Sequence, residues 1–283
     1  MSERLAQTRA FLLDMDGTFF LGEQLIDGAL DFIALLRQQG KGFLFLTNNS
    51  SKDRHEYAEK ITRLGLPITP NEVLTSGEAA VRCLLGQYAG AKLFVVGTPS
   101  LEGEFRAAGF VLDDPRPQVA VVGFDTALTY AKLWRLCDLV RAGLPYVVTH
   151  PDLNCPTPGG FMPDIGATIA FVKASTGRGP DLVVGKPSRL MAEAAAQKLG
   201  LPLETLAIIG DRLYTDIALG QAAGIPSVLV LSGETRPADV SGSPFQPDDT
   251  FEHLGAVAAW LAAHSQAVAA TAPAEPVVAR DVI

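Results

Sequence analysis

Two carboxylates spaced i, i+2, Asp14 and Asp16, close the short apolar run Phe11-Leu12-Leu13 and open a Gly17-Thr18 turn. The run is too short for a helix but long enough for a buried strand, along which successive side chains point to opposite faces. Acids inside a sheet are costly, so the pair fits the crevice at a strand's carboxyl end. There one carboxylate can attack an electrophile while the other moves a proton or helps hold a metal. A plain solvated turn is the alternative, since Asp and Gly are ordinary turn residues, and the rest of the chain weighs against it.

Three more loops follow apolar runs and carry reactive or binding groups. Leu46-Thr47-Asn48-Asn49-Ser50-Ser51 offers hydroxyls, amides and backbone N–H groups before an expected helix, a natural anion cradle; one of Ser50 or Ser51 is expected to serve as the helix N-cap. Gly185-Lys186-Pro187-Ser188 places a lysine at a strand end, held by a helix-start proline. Ile209-Gly210-Asp211 ends a strand in a third acid, and Asp216 follows at an expected helix start, where a simple dipole partner is the competing reading. Together the four loops supply a carboxylate pair, a third carboxylate, a fixed ammonium and a hydroxyl–amide cradle. That set suits phosphoryl transfer. Hard oxygen ligands favour Mg²⁺, cation and lysine offset phosphate charge, and a carboxylate can act as a covalent nucleophile.

The elements that must position these loops alternate. Strands are expected at 11–13, 42–46, 92–96, 119–122, 146–148, 181–184, 207–209 and 227–231, and helices at 29–39, 52–64, 130–142, 188–199 and 215–223. Alternation of this kind predicts an α/β fold with parallel sheets and crossover helices. Turn-rich joints at 75–77 and 175–180 bracket a middle set of strands. The 283 residues, 48% hydrophobic and 19% charged, suffice for two domains with substantial cores.

A net charge of −8 with no basic run argues against nucleic acid and anionic membranes as partners. Cys83, Cys137 and Cys155 are scattered and lack C-x-x-C spacing, as expected of reduced thiols in a cytosolic protein. A polar start running into the first strand leaves no room for a signal peptide, and no apolar run approaches the ~20 residues of a membrane span. The expectation is a cytoplasmic protein. The stretch 265–283, rich in Ala, Pro and Val, is expected to be a flexible tail.

The motifs D-x-D-G-T, strand-end Thr-Asn, G-K-P and G-D-x-x-x-x-D occur across residues 11 to 216 in the order of the haloacid dehalogenase superfamily, whose Mg²⁺-dependent phosphatases this chain resembles. D-M-D-G-T-F-F-L-G, F-L-T-N-N-S, V-V-G-K-P-S and I-I-G-D-R-L-Y-T-D-I are similar to the p-nitrophenylphosphatase and NagD-like branch. The resemblance implies a Rossmann-like parallel-sheet core from 1–76 and 183–264 with an inserted α/β cap at 77–182. It implies a Mg²⁺-dependent phosphomonoester hydrolase acting on a small phosphorylated metabolite and on p-nitrophenyl phosphate.

By the same resemblance Asp14 is the nucleophile and a metal ligand. Asp16 is the general acid and base, its carbonyl also contacting Mg²⁺. Thr47 and Asn48 bind the phosphoryl group, Lys186 pairs with Asp14 and the phosphate, Asp211 completes the metal site, and Asp216 supports it from behind. In the cap, His150, Asp152 and Asp164 are expected to read the leaving group, with loop shaping as the alternative. His150 stands where many relatives have Asn. A homodimer through the cap, a phosphomutase or phosphotransferase with the same site, and an idle sensor of phosphorylated ligands are the open alternatives.

Overall fold

The computed structural model describes residues 3–157 and 159–265; Pro158 and the expected tail past Ser265 lie outside them. The chain divides into two compact units. One holds the chain up to Leu46, Tyr57–Leu74 and the chain from Pro187 onward. The other holds Thr47–Glu56 and Thr75–Lys186.

The first unit is built on a six-stranded sheet in the order Asp249–Phe251, Ser227–Val230, Leu206–Gly210, Ala10–Asp14, Gly42–Thr47, Val73–Thr75. Ala10–Asp14 runs parallel to both of its neighbours, with Leu13 opposite Ile209 on one side and Phe45 on the other. A strand with parallel partners and helices over its faces is buried on both sides, which is why Phe11, Leu12 and Leu13 are all apolar and fully buried. Phe11 packs edge-on against Phe32 of the Ala29–Gln38 helix. Past Asp14 the chain turns through Gly17 and makes a short hairpin, Phe20–Leu21 against Gln24–Leu25, that pattern reading did not anticipate.

The second unit has a four-stranded parallel sheet in the order Leu182–Val183, Tyr146–Val148, Val119–Val122, Leu93–Val96. Its core gathers Ala120 and Val122 with Leu136, Val140, Tyr146 and Val148. An antiparallel ribbon, Asn154–Thr157 with Gly160–Pro163, and the helix Ile165–Thr176 complete it.

Three expectations change here. The strand expected at 181–184, placed from 183 in the core, instead pairs with Tyr146–Val148, so the division falls after Lys186. The joint expected at 75–77 is no loose turn: Thr75 ends a strand and its side chain accepts from Glu78 N, capping the Ser76–Tyr88 helix. Neither Ser50 nor Ser51 caps the Arg54–Arg63 helix, because Asp53 Oδ1 takes the N–H groups of His55 and Glu56 at 2.8 and 3.1 Å. Among the described residues no helix is long and apolar enough to cross a membrane.

Candidate active site

In the first unit, the Leu13–Ile209 register sets the ends of two neighbouring strands side by side, so Asp14 and Asp211 leave the sheet together. Asp216 joins them because the chain makes one wide π-helical turn, Leu213–Ile217, before the Ala218–Ala223 helix. Arg212 N donates to Asp216 Oδ2 at 3.2 Å, which fixes the carboxylate under the turn. One oxygen from each of Asp14, Asp211 and Asp216 lies within 4.8 Å of the others. Asp16, two residues beyond Asp14, is exposed at the mouth of the turn closed by Gly17 N to Phe20 O at 2.8 Å.

The packing around Asp211 leaves no room for side chains on its neighbours. Gly17 has φ +89°, and a Cβ there would meet Asp211 Oδ2 at 2.5 Å. A Cβ on Gly233 would overlap the same carboxylate, and one on Gly210 would overlap Asp216. Glu234 N donates to Asp211 Oδ2 at 2.7 Å and Thr18 Oγ1 approaches Oδ1 at 3.5 Å.

Burial, then the nearby Asp14 and Asp216 charges, push the Asp211 carboxyl up to about 8. Like charges gathered in a low-dielectric site oppose ionisation unless a cation is present. Three convergent carboxylate oxygens with partial access through Asp14 fit a hard divalent cation that keeps some of its waters. Burial alone would pull the Arg212 guanidinium down, but Asp14 and Asp211 more than offset this and hold it charged. Its Nε lies 2.9 Å from Glu234 Oε2, while Tyr214 OH donates to the other oxygen of that carboxylate at 2.8 Å.

The second unit carries Thr47, Asn48 and Lys186. Thr47 Oγ1 accepts from Asn49 N at 3.2 Å, shaping a tight turn directly after the strand. The Asn48 side chain is buried and turned to protein partners: Nδ2 donates to both Asp152 oxygens, at 3.2 and 3.1 Å, and to Lys186 O at 2.9 Å. Lys186 is itself buried. Gly185 cannot be any other residue without disturbance, since its Cβ would meet Thr149 O at 2.5 Å and Asn48 Oδ1 at 2.7 Å.

The three residues expected to read a leaving group are separated by their surroundings. His150 is fully buried, with Nε2 at 3.0 Å from Asp164 Oδ1 and Nδ1 facing Thr149 Oγ1 and Ser76 Oγ. Asp164 is also buried and caps the Ile165–Thr176 helix through Ile165 N at 2.6 Å. Both side chains are thus engaged with protein partners, an arrangement suited to bracing a loop. Asp152 alone of the three is partly accessible.

Sequence reasoning missed Ser76, whose hydroxyl donates to Asn48 O. Ser50, expected in the cradle or as a helix cap, accepts from Phe124 N and bonds Thr149 Oγ1, both at 2.9 Å. It also missed Arg212, Gly233 and Glu234. The signal for Gly233 was present in Leu231-Ser232-Gly233, a strand end meeting a turn pair.

A family model described as haloacid dehalogenase-like hydrolase matches residues 11–111, and a related HAD-hydrolase-like model matches 183–257. An acid sugar phosphatase of Staphylococcus aureus is 34% identical over 258 residues, covering 91% of this chain and 99% of that protein. The crystal structure of a 4-nitrophenylphosphatase from Thermotoga maritima is 43% identical with a TM-score of 0.88, over 91% of this chain and 99% of that one. A glycerol phosphate phosphatase from Mycobacterium tuberculosis in complex with magnesium is 31% identical with a TM-score of 0.83, over 91% and 78%.

Proposed function

Since the chain belongs to the haloacid dehalogenase-like hydrolases, we propose that it is a Mg²⁺-dependent phosphatase that cleaves small hydroxylated phosphomonoesters, sugar phosphates foremost, through a phosphorylated Asp14. That it is a phosphatase, with a divalent metal, is common ground with its relatives. The observation that carries the reading is the Asp14–Asp211–Asp216 cluster, with Asp211 buried at the end of one strand and Asp14 accessible at the end of the next.

In this reading Asp14 and Asp211, with the Asp16 carbonyl, hold Mg²⁺, which when bound offsets the negative charge of carboxylates and phosphoryl group. Asp216 supports the site through the Arg212 backbone. The Asp14 carboxylate attacks phosphorus, and Asp16, exposed beside it, gives a proton to the departing alkoxide. Asp16 then takes a proton from the water that releases phosphate from Asp14. Thr47, the Asn48 main chain and Lys186 bind the phosphoryl oxygens, their donors and positive charge matching its anionic surface. Asp152 reads the leaving group, and His150 with Asp164 hold its loop.

The test is hydrolysis of p-nitrophenyl phosphate and a panel of sugar phosphates. Activity should vanish with EDTA, return with Mg²⁺, and fall by several orders of magnitude in Asp14→Asn at unchanged melting temperature. Asp14→Asn retaining more than a few per cent of turnover would refute the covalent route.

A further inference from the structure

The amide of Asn48 makes contacts that neither an N-cap nor a phosphate ligand requires. One nitrogen serves three acceptors, both oxygens of Asp152 and the carbonyl of Lys186, although Asp152 lies 104 residues and Lys186 138 residues along the chain. The oxygen of the same amide is buried with no hydrogen-bond partner among the described residues. An orphaned acceptor of this kind costs ~1–3 kcal/mol. Turning the amide over would be worse, because its oxygen would then face a carboxylate and a carbonyl. The orientation is therefore set by the donors.

The surroundings reinforce this setting from every side. Gly185 lets the amide oxygen sit against the backbone before Lys186, and Ser76 Oγ holds the Asn48 carbonyl. Asp152 is fixed at its own backbone, its carbonyl accepting from Gly166 N at 2.7 Å. Gly166 is needed there, since a Cβ would meet Pro151 O at 2.6 Å and Asp152 O at 2.8 Å. Leu153 O accepts from Asp164 N at 3.0 Å, and Asp164 is braced by His150. With its backbone pinned, the direction of the Asp152 carboxylate is left to Asn48.

We propose that the Asn48 side chain is a positioning residue that aims Asp152 at the leaving group and ties it to the main chain of Lys186, so that one amide sets leaving-group selectivity. This rests on the reading of Asp152 given above. A carboxylate offers only acceptors, so a fixed Asp152 favours leaving groups that present hydroxyls in one geometry, and a loosened one loses that preference.

The experiment compares kcat/KM for a hydroxylated ester, glycerol phosphate or the best sugar phosphate, with that for p-nitrophenyl phosphate, which has no hydroxyl to read. The ratio of the two is the readout. Asp152→Ala should lower it on the order of tenfold to a hundredfold. Asn48→Ala should lower it comparably, as should Asn48→Asp, which keeps the volume but loses the donors. Combining Asn48→Ala with Asp152→Ala should lower it no further than either alone.

Melting temperatures and the p-nitrophenyl phosphate rate report folding and phosphate binding separately from this ratio. If the Asn48 variants lose both esters equally, the side chain serves phosphate or fold and the proposal fails. If the ratio falls in the Asn48 variants and falls again in the double variant, the two residues act independently and the proposal fails as well. If Asp152→Ala leaves the ratio unchanged, the reading of Asp152 falls and the proposal with it. If the wild type hydrolyses neither ester, the phosphatase reading itself falls.

Discussion

Gly17 and Asp211 are 194 positions apart in sequence, yet a Cβ on the glycine would stand 2.5 Å from the carboxylate oxygen of the acid. The turn that follows the Ala10–Asp14 strand is thus moulded onto the acid that follows its neighbour Leu206–Gly210. Its φ of +89° adds a second reason for glycine, because side chains rarely tolerate that region.

Gly17→Ala should therefore act on the metal site before it acts on the fold. We expect the Mg²⁺ concentration for half-maximal activity to rise at least tenfold, with a stability loss of about 2 kcal/mol. Metal titration of activity, together with thermal melting, checks both. A variant with unchanged metal dependence would mean that Asp211 shifts without consequence.

The Asp211 carboxyl, pushed up to about 8, makes a pH prediction for the metal-free protein. Its folded value lies above the ordinary value of 3.8, so the acid form is favoured on folding. The corresponding stability is present in acid and is lost as pH rises toward 8. Asp211→Asn, which cannot ionise, should not share that loss. In EDTA the melting temperature of the variant relative to wild type should climb between pH 5 and pH 9. Added Mg²⁺ should raise the wild-type value most at the alkaline end. A difference that stays flat with pH would show that the three carboxylates do not repel one another as described.

Tyr146 is fully buried in the second unit with its hydroxyl unpartnered among the described residues, and burial raises its pKa. Removing an unsatisfied polar group at constant shape is neutral to favourable. Tyr146→Phe should keep or raise the melting temperature by up to a few degrees and leave p-nitrophenyl phosphate hydrolysis unchanged. A loss of more than about 1 kcal/mol would reveal an internal water or another partner for the hydroxyl.

His150→Ala removes the brace of Asp164 and opens a cavity in a fully buried place. A cost of about 2–4 kcal/mol is expected, measured by urea unfolding. If the variant is as stable as wild type, the pair is not the scaffold its burial indicates.

The polar ends of the strands were legible in the sequence because the rule that places them is local. Apolar runs at 11–13, 42–46 and 207–209 ending in Asp, Thr-Asn and Gly-Asp announce buried parallel strands that surrender their polar residues at one edge. The structure finds those strands at Ala10–Asp14, Gly42–Thr47 and Leu206–Gly210. The α/β class followed from the same alternation.

What tertiary structure decided were the partners of each residue. The Leu182–Val183 strand reads like any other apolar run, and only its pairing with Tyr146–Val148 assigns it to the second sheet. His150 and Asp164 carry side chains as suited to binding a sugar as to bracing a loop, and only the packed chain buries them and bonds them to each other. Asn48 sits in a loop whose composition announces an anion cradle, but its amide is spent on Asp152 and Lys186. Periodicity and residue type describe a segment's own preferences. Burial and hydrogen-bond pairing depend on segments a hundred residues away, whose approach is settled only when the core packs.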